Sequence, residues 1–151
     1  MRPAPTQARR IVTLSHAVTQ SVDAPPARAF AYLRDPLALG RWALGCFDSA
    51  PTDQENLYAG RSLFDGATGW FRIDADPVRL EIDYLVGTPD KLARRISARV
   101  MPGAELGYPE ASCLVTLTAW RPAGMTASRW DQLCASHEVE ILLIKAQLET
   151  D

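Results

Sequence analysis

One histidine sits where a solvated histidine does not belong. Trp130, Leu133, Cys134, His137, Ile141, Ile144 and Leu148 recur at three- and four-residue steps. At about 100° per residue these positions form one apolar stripe of a helix, and His137 lies at its centre. Near its ordinary pKa of ~6.5 an imidazole serves as acid or base, and burial favours its neutral form. Three roles are open to it. It is a core histidine bonded to a backbone carbonyl or to Tyr84, or a polar contact for a ligand, or an acid–base group in catalysis. The first is the commonest fate of a buried histidine.

His16 presents the same anomaly on an alternating segment, where it shares a parity with Val12, Leu14, Val18 and Val22. If it meets His137, the two make a polar spot in an apolar interior; a wet place on an edge strand is the blander reading. Tyr84 faces with Leu80, Ile82 and Val86 and brings one hydroxyl that needs a partner when buried. The candidate lining of a ligand site is therefore His16, Ile82, Tyr84, Trp130, Cys134, His137 and Ile141, with His137 the candidate catalytic group. Trp42, Trp120 and Trp130 read first as structural anchors, and Trp70 shares the solvent parity of Arg72 and Asp74.

Other chemistry is poorly served. Two histidines and three scattered cysteines (Cys46, Cys113, Cys134) lack zinc-site spacing, and there is no HExxH or EF-hand loop, so no metal is expected. P-loop, GxGxxG and GxSxG motifs are absent too, so no nucleotide or other cofactor is expected. Glu81, Asp83, Arg95 and Arg99 alternate out of the core and read as a solvated face.

These residues need elements to hold them. Ile11 to Val22 alternates and makes a half-buried strand. Asp23 can cap a first helix tolerant of Pro25 and Pro26, carrying Phe30 and Leu33. Asp35-Pro36 ends it and starts a second, which carries Leu37, Leu39 and Trp42 and stops near Gly45. Six strands follow, at 46–51, 57–64, 69–75, 80–86, 95–100 and 112–120, with turn signals between them, which indicates antiparallel pairing. A helix capped by Thr126 or Ser128 then runs about 20 residues, roughly 30 Å.

Composition bounds the partners. With 151 residues, 47% hydrophobic and 23% charged, the chain suits a single domain over 10–151 behind a flexible tail of residues 1–9. A net charge of −2 without a basic cluster excludes the usual nucleic-acid footprint. The longest aliphatic run, 141–144, is far short of the ~20 residues of a membrane span. Three unpaired-looking cysteines and no signal-like start point to a reducing cytoplasm.

The order strand, two short helices, six strands, long helix resembles the START/Bet v 1-like (SRPBCC) superfamily, in its polyketide cyclase/dehydrase-like branch. The residues that carry the likeness are VDAPPARAFAYLRDPLALGRW, with its Ala-Pro-Pro helix start, Phe-x-x-Leu pair, Asp-Pro break and following Trp. The resemblance implies an α+β helix-grip fold, a seven-stranded antiparallel sheet wrapped around the C-terminal helix. It also implies a cavity for a hydrophobic small molecule such as a lipid, quinone or polyketide. A carrier or sensor, a cyclase or dehydratase using His137 with Tyr84 or His16, and an interaction module with a filled core are all compatible with it, as is a homodimer.

Overall fold

The computed structural model describes residues 13–150. The expected tail (residues 1–9) and the expected first strand positions 11 and 12 lie outside them. Strand β1 (Ser15–Val22) leads into helices α1 (Pro26–Leu33) and α2 (Pro36–Leu39). A meander follows of β2 (Phe47–Pro51), β3 (Tyr58–Arg61), β4 (Thr68–Asp76), β5 (Glu81–Thr88), β6 (Lys91–Pro102) and β7 (Cys113–Trp120). Helix α3 (Ala127–Glu149) ends the chain. The sheet order is β1-β7-β6-β5-β4-β3-β2, antiparallel throughout, so β1 and β2 are the edges.

Alternation decides the faces. Ile82 and Tyr84 of β5, Phe71 of β4, Ala98 and Val100 of β6, and Val115 and Leu117 of β7 are all buried on the inner face. Trp70 lies on the other face and is half-buried, which leaves it more covered than its solvent parity suggested. Outside, Glu81 meets Arg99 at 3.7 Å and Asp83 meets Arg94 at 3.2 Å. The register steps from Tyr84↔Ile96 to Leu85↔Arg94, which leaves Arg95 as the extra residue of a bulge. That is why Arg95 is half-buried while Arg99 is exposed.

Two helix starts differ from expectation in detail. Asp35 does cap α2, accepting from the Leu37 N–H at 2.9 Å. Asp23 caps nothing: α1 begins after Pro25, in extended conformation, without a side-chain cap. The Asp23 N–H instead donates to Glu149 Oε2 at 2.8 Å and ties the end of β1 to the end of α3. Helix α2 is only one turn long, stopping at Leu39 instead of near Gly45, and Trp42 follows in a turn.

Thr126 caps α3 by accepting from the Arg129 N–H at 3.2 Å. The helix runs 23 residues and lies along β1 and β7, in the same direction as β1. His16 faces Glu138, Lys145 Nζ reaches the Ser21 carbonyl at 2.5 Å, and Glu149 takes the Asp23 N–H. Helix α1 lies over β6 and β7, and α2 over β2. Where β2 crosses β3, a Cβ on Gly60 would stand 2.6 Å from the Cys46 carbonyl oxygen, so only glycine permits the approach. No helix among the described residues is long and apolar enough to cross a membrane.

Candidate functional site

Between α3 and the inner face of the sheet, polar groups are few. Ser136, His137 and Glu140 are the buried polar residues, and they stand within two turns of α3. Ser136 is accounted for, since its hydroxyl donates to the Gln132 carbonyl at 2.8 Å. His137 and Glu140 are not.

Glu140 is 5% exposed. Its Oε2 accepts from the Leu44 N–H at 3.3 Å, in the turn after α2, and no cation forms a salt bridge with it among the described residues. Burial pushes its carboxyl up to about 8, against the smaller downward pull of that hydrogen bond. It therefore carries its proton at neutral pH. Sequence reasoning missed this residue because a glutamate on a helix reads as solvent-facing. The signal was available: position 140 is three after His137 and four before Ile144, on the same stripe.

Tyr84 reaches the same space from β5. Its hydroxyl donates to the Leu33 carbonyl at 2.7 Å and so closes the last turn of α1, where helix carbonyls lack intrahelical donors. Burial first, then the neighbouring Glu140 and Tyr32, hold the phenol far above its usual range. Trp42 meets the Tyr84 ring edge-on, with centroids 5.8 Å apart. Behind them Tyr32 donates to Gln147 Oε1, and Gln147 Nε2 donates to the Arg41 carbonyl at 3.0 Å. Gln147, expected off the helix stripe, is thus half-buried against α1 and the α2 turn. Replacing Tyr84 by Phe leaves the Leu33 carbonyl buried without its donor, so Tyr84→Phe should cost about 1–3 kcal/mol in urea unfolding. An unchanged midpoint would show that the bond contributes nothing.

His16 acts on His137 where α3 runs along β1. His137 is 1% exposed, and burial, with a smaller contribution from His16, lowers its pKa to about 4. His16 is half-buried, and its Nε2 stands 3.8 Å from Glu138 Oε1, beyond hydrogen-bond reach. Among the described residues, three buried side-chain nitrogens have no partner in the protein: His16 Nε2, Trp42 Nε1 and His137 Nδ1. Buried polar atoms are normally satisfied, and leaving one bare costs roughly 1–3 kcal/mol. Neither Tyr84 nor a backbone carbonyl takes up His137 Nδ1.

The remaining expected lining residues divide. Ile82 and Ile141 are buried in the core cluster beside Tyr84, whereas Trp130 is buried apart from that cluster, near the start of α3. Cys134 is half-buried, and its thiol is raised mainly by burial, so it is no ready nucleophile. The helix is least covered at this end: Leu133 and Cys134 are half-buried, as are Val86 and Ile96 on the strands, while Ile144 and Leu148 farther along are closed off. Asp65, in the β3–β4 loop, feels the positive charge of Arg129, which brings that loop to the same end. Two surface clefts lie elsewhere. One of about 500 Å³ runs between Arg34 and Asp35 and the strand residues Tyr58 and Ile73. The other, of about 400 Å³, is an acidic hollow at Asp74, Asp76, Glu81 and Asp83. No group of three or more His, Cys, Asp or Glu side chains suited to a metal occurs among the described residues.

No protein-family model matches the chain, and no curated protein matches it in sequence. Solved structures do match. A START superfamily protein from Mycobacterium smegmatis superposes with a TM-score of 0.63 at 12% identity, over 89% of this chain and 97% of that one. The Zhui aromatase/cyclase from a Streptomyces species gives 0.64 at 16% identity, over 89% of this chain and 93% of that one. The Aha1 dimer from Colwellia psychrerythraea gives 0.65 at 16%, over 91% and 98%. With the sheet order and the position of α3, these likenesses establish that the chain has the helix-grip fold of START-like and polyketide cyclase-like proteins.

Proposed function

We propose that this protein binds a hydrophobic small molecule, of the lipid, quinone or polyketide kind, between the sheet and α3, as a carrier or sensor. One observation carries the reading. In an interior otherwise lined by apolar side chains, Trp42 Nε1 and His137 Nδ1 have no protein partner, and Glu140, near Tyr84, is held uncharged by burial. Ligand pockets are built this way, mostly apolar with a few convergent polar groups. The half-buried residues Leu133, Cys134, Val86 and Ile96 support an entry at the least covered end of α3.

The test uses protein purified from cells, by native mass spectrometry, followed by titration of the delipidated protein with Nile red. The reading expects a retained small molecule, or saturable binding at one site per chain. Bare protein with no saturable binding would contradict it and favour an interaction module with a filled core.

A second reading, an enzyme of the cyclase or dehydratase kind, is favoured by the placing of an acid that keeps its proton near neutral pH. General acids work best with a pKa close to the operating pH. Glu140 would give the proton and the neutral His137 would accept one. The solved neighbour described as an aromatase/cyclase is compatible with that chemistry. Under this reading His137→Gln abolishes turnover and leaves binding measurable; full rate in that variant would exclude His137 as the base.

A further inference from the structure

Trp42 and Glu140 reach the same place from different elements. Trp42 stands in the turn between α2 and β2, only 3% exposed, with its indole N–H unpartnered. Glu140, on α3, takes the N–H of Leu44, two residues beyond Trp42; the Trp42 ring packs edge-on against Tyr84, and Glu140 lies near enough to raise the Tyr84 phenol. Tyr84 has already given its only proton to the Leu33 carbonyl. What remains near Tyr84 is an indole N–H without a partner and a buried carboxylic acid whose one hydrogen bond among the described residues is accepted from Leu44. No arginine or lysine pairs with Glu140 among the described residues to hold an anion there.

We propose that Trp42 and Glu140 form a donor pair for a carbonyl oxygen, and that the ligand is accordingly an uncharged, flat hydrophobic ketone or quinone, neither a hydrocarbon nor a carboxylate. The inference rests on the binding reading above and names the ligand class of the same site. A carbonyl oxygen offers two lone pairs, one for each donor. A site built to hydrogen-bond one group rejects the analogue that lacks it, because its own buried donors are then left bare. A carboxylate would meet no compensating charge in a closed interior.

The pair also makes recognition depend on pH in one direction. Of the groups packed around the site, Tyr32 from α1 and Tyr84 from β5 keep their protons throughout, as does the Cys46 thiol beside β2, pushed up to about 11 by burial. His137, one turn earlier on α3, stays neutral at any pH well above 4. Arg41 acts on Tyr32 from an exposed position. Glu140 is the group that changes over this range, and its ionisation replaces a donor by a charged acceptor facing the carbonyl.

Three shape-matched probes test this with the full chain: fluorene, 9-fluorenone and fluorene-9-carboxylate, followed by isothermal titration at about pH 6.5 and about pH 9. Fluorenone should bind at least tenfold tighter than the other two at the lower pH and lose that advantage at the higher. Glu140→Gln, which keeps a donor, should retain the preference without its pH dependence. Glu140→Leu and Trp42→Phe should each reduce it severalfold while fluorene binding persists. Equal affinity for fluorene and fluorenone would overturn the donor pair and leave the hydrophobic-ligand reading standing. So would an unchanged preference in Trp42→Phe, the result expected if the Tyr84 ring satisfies the indole. Binding of none of the three would overturn both.

Discussion

Glu140→Gln should make the protein more stable at pH 8 and leave it nearly unchanged at pH 5. The acid's pKa is 4.5 in the unfolded chain and about 8 in the fold. A raised folded value means that its contribution is fully present below about pH 4.5 and is lost as pH climbs to about 8, because the unfolded chain ionises first. Across that window the wild type should lose on the order of 4 kcal/mol, a large part of a typical domain stability of ~5–15 kcal/mol. Glutamine is close to the protonated acid in shape and has no charge to desolvate. His137 works in the opposite sense. Its folded value of about 4 lies below the unfolded 6.5, so its contribution is present above 6.5 and is lost as pH falls towards 4. Urea unfolding at a series of pH values should therefore show wild-type stability declining on both sides, with Glu140→Gln flattening the alkaline side only. Parallel curves for the two proteins from pH 5 to 8 would show that Glu140 is not buried in the way described. A residue that weakens the native fold at working pH marks a place where function and stability conflict, which is how ligand and catalytic sites are commonly built.

Ile144→Ala should cost about 2–5 kcal/mol, and Leu142→Ala on the same helix should cost at most about 0.5 kcal/mol. Ile144 is wholly buried in the C-terminal half of α3, whereas Leu142 is 53% exposed on the far side. Both substitutions remove branched aliphatic side chains from one helix, so helix propensity changes little between them and the contrast reports the cavity left behind. The measurement is the urea midpoint at constant m-value. Similar losses at the two positions would place α3 in a different rotation about its axis, and with it His137 and Glu140.

How far the sequence reaches depends on where each residue's partner lies. Strand β5 was legible because Leu80, Ile82, Tyr84 and Val86 alternate against charged neighbours, and alternation is local. Helix α3 was legible through its apolar spacing, and its cap was narrowed to Thr126 or Ser128, of which Thr126 is the one that accepts from Arg129. The Asp35-Pro36 break was equally plain. The misreadings share a cause: their determinants are distant in the chain. Asp23 looked like a cap, but its N–H is taken by Glu149, 126 residues away. Arg95 looked regular until the bulge against Tyr84 and Leu85 displaced it. Tyr84 was correctly expected to need a partner, yet no pattern could name the Leu33 carbonyl. Trp42 read as an anchor, which its burial supports; that its N–H lacks a partner is visible only once α2, β5 and α3 are assembled. That His16 acts on His137, a pairing sequence could only raise, follows from α3 lying along β1.

The account turns on whether a ligand contacts the indole of Trp42. The chain has four tryptophans, Trp42, Trp70, Trp120 and Trp130, and hence four indole N–H signals in a ¹⁵N-labelled sample. Titration with 9-fluorenone near pH 6.5, with Trp42→Phe to assign the resonance, should shift the Trp42 N–H signal downfield as it acquires an acceptor. Trp70 and Trp120, on the outer face and at the end of β7, should not move. Saturable binding that leaves the Trp42 signal in place while another indole responds would contradict the site.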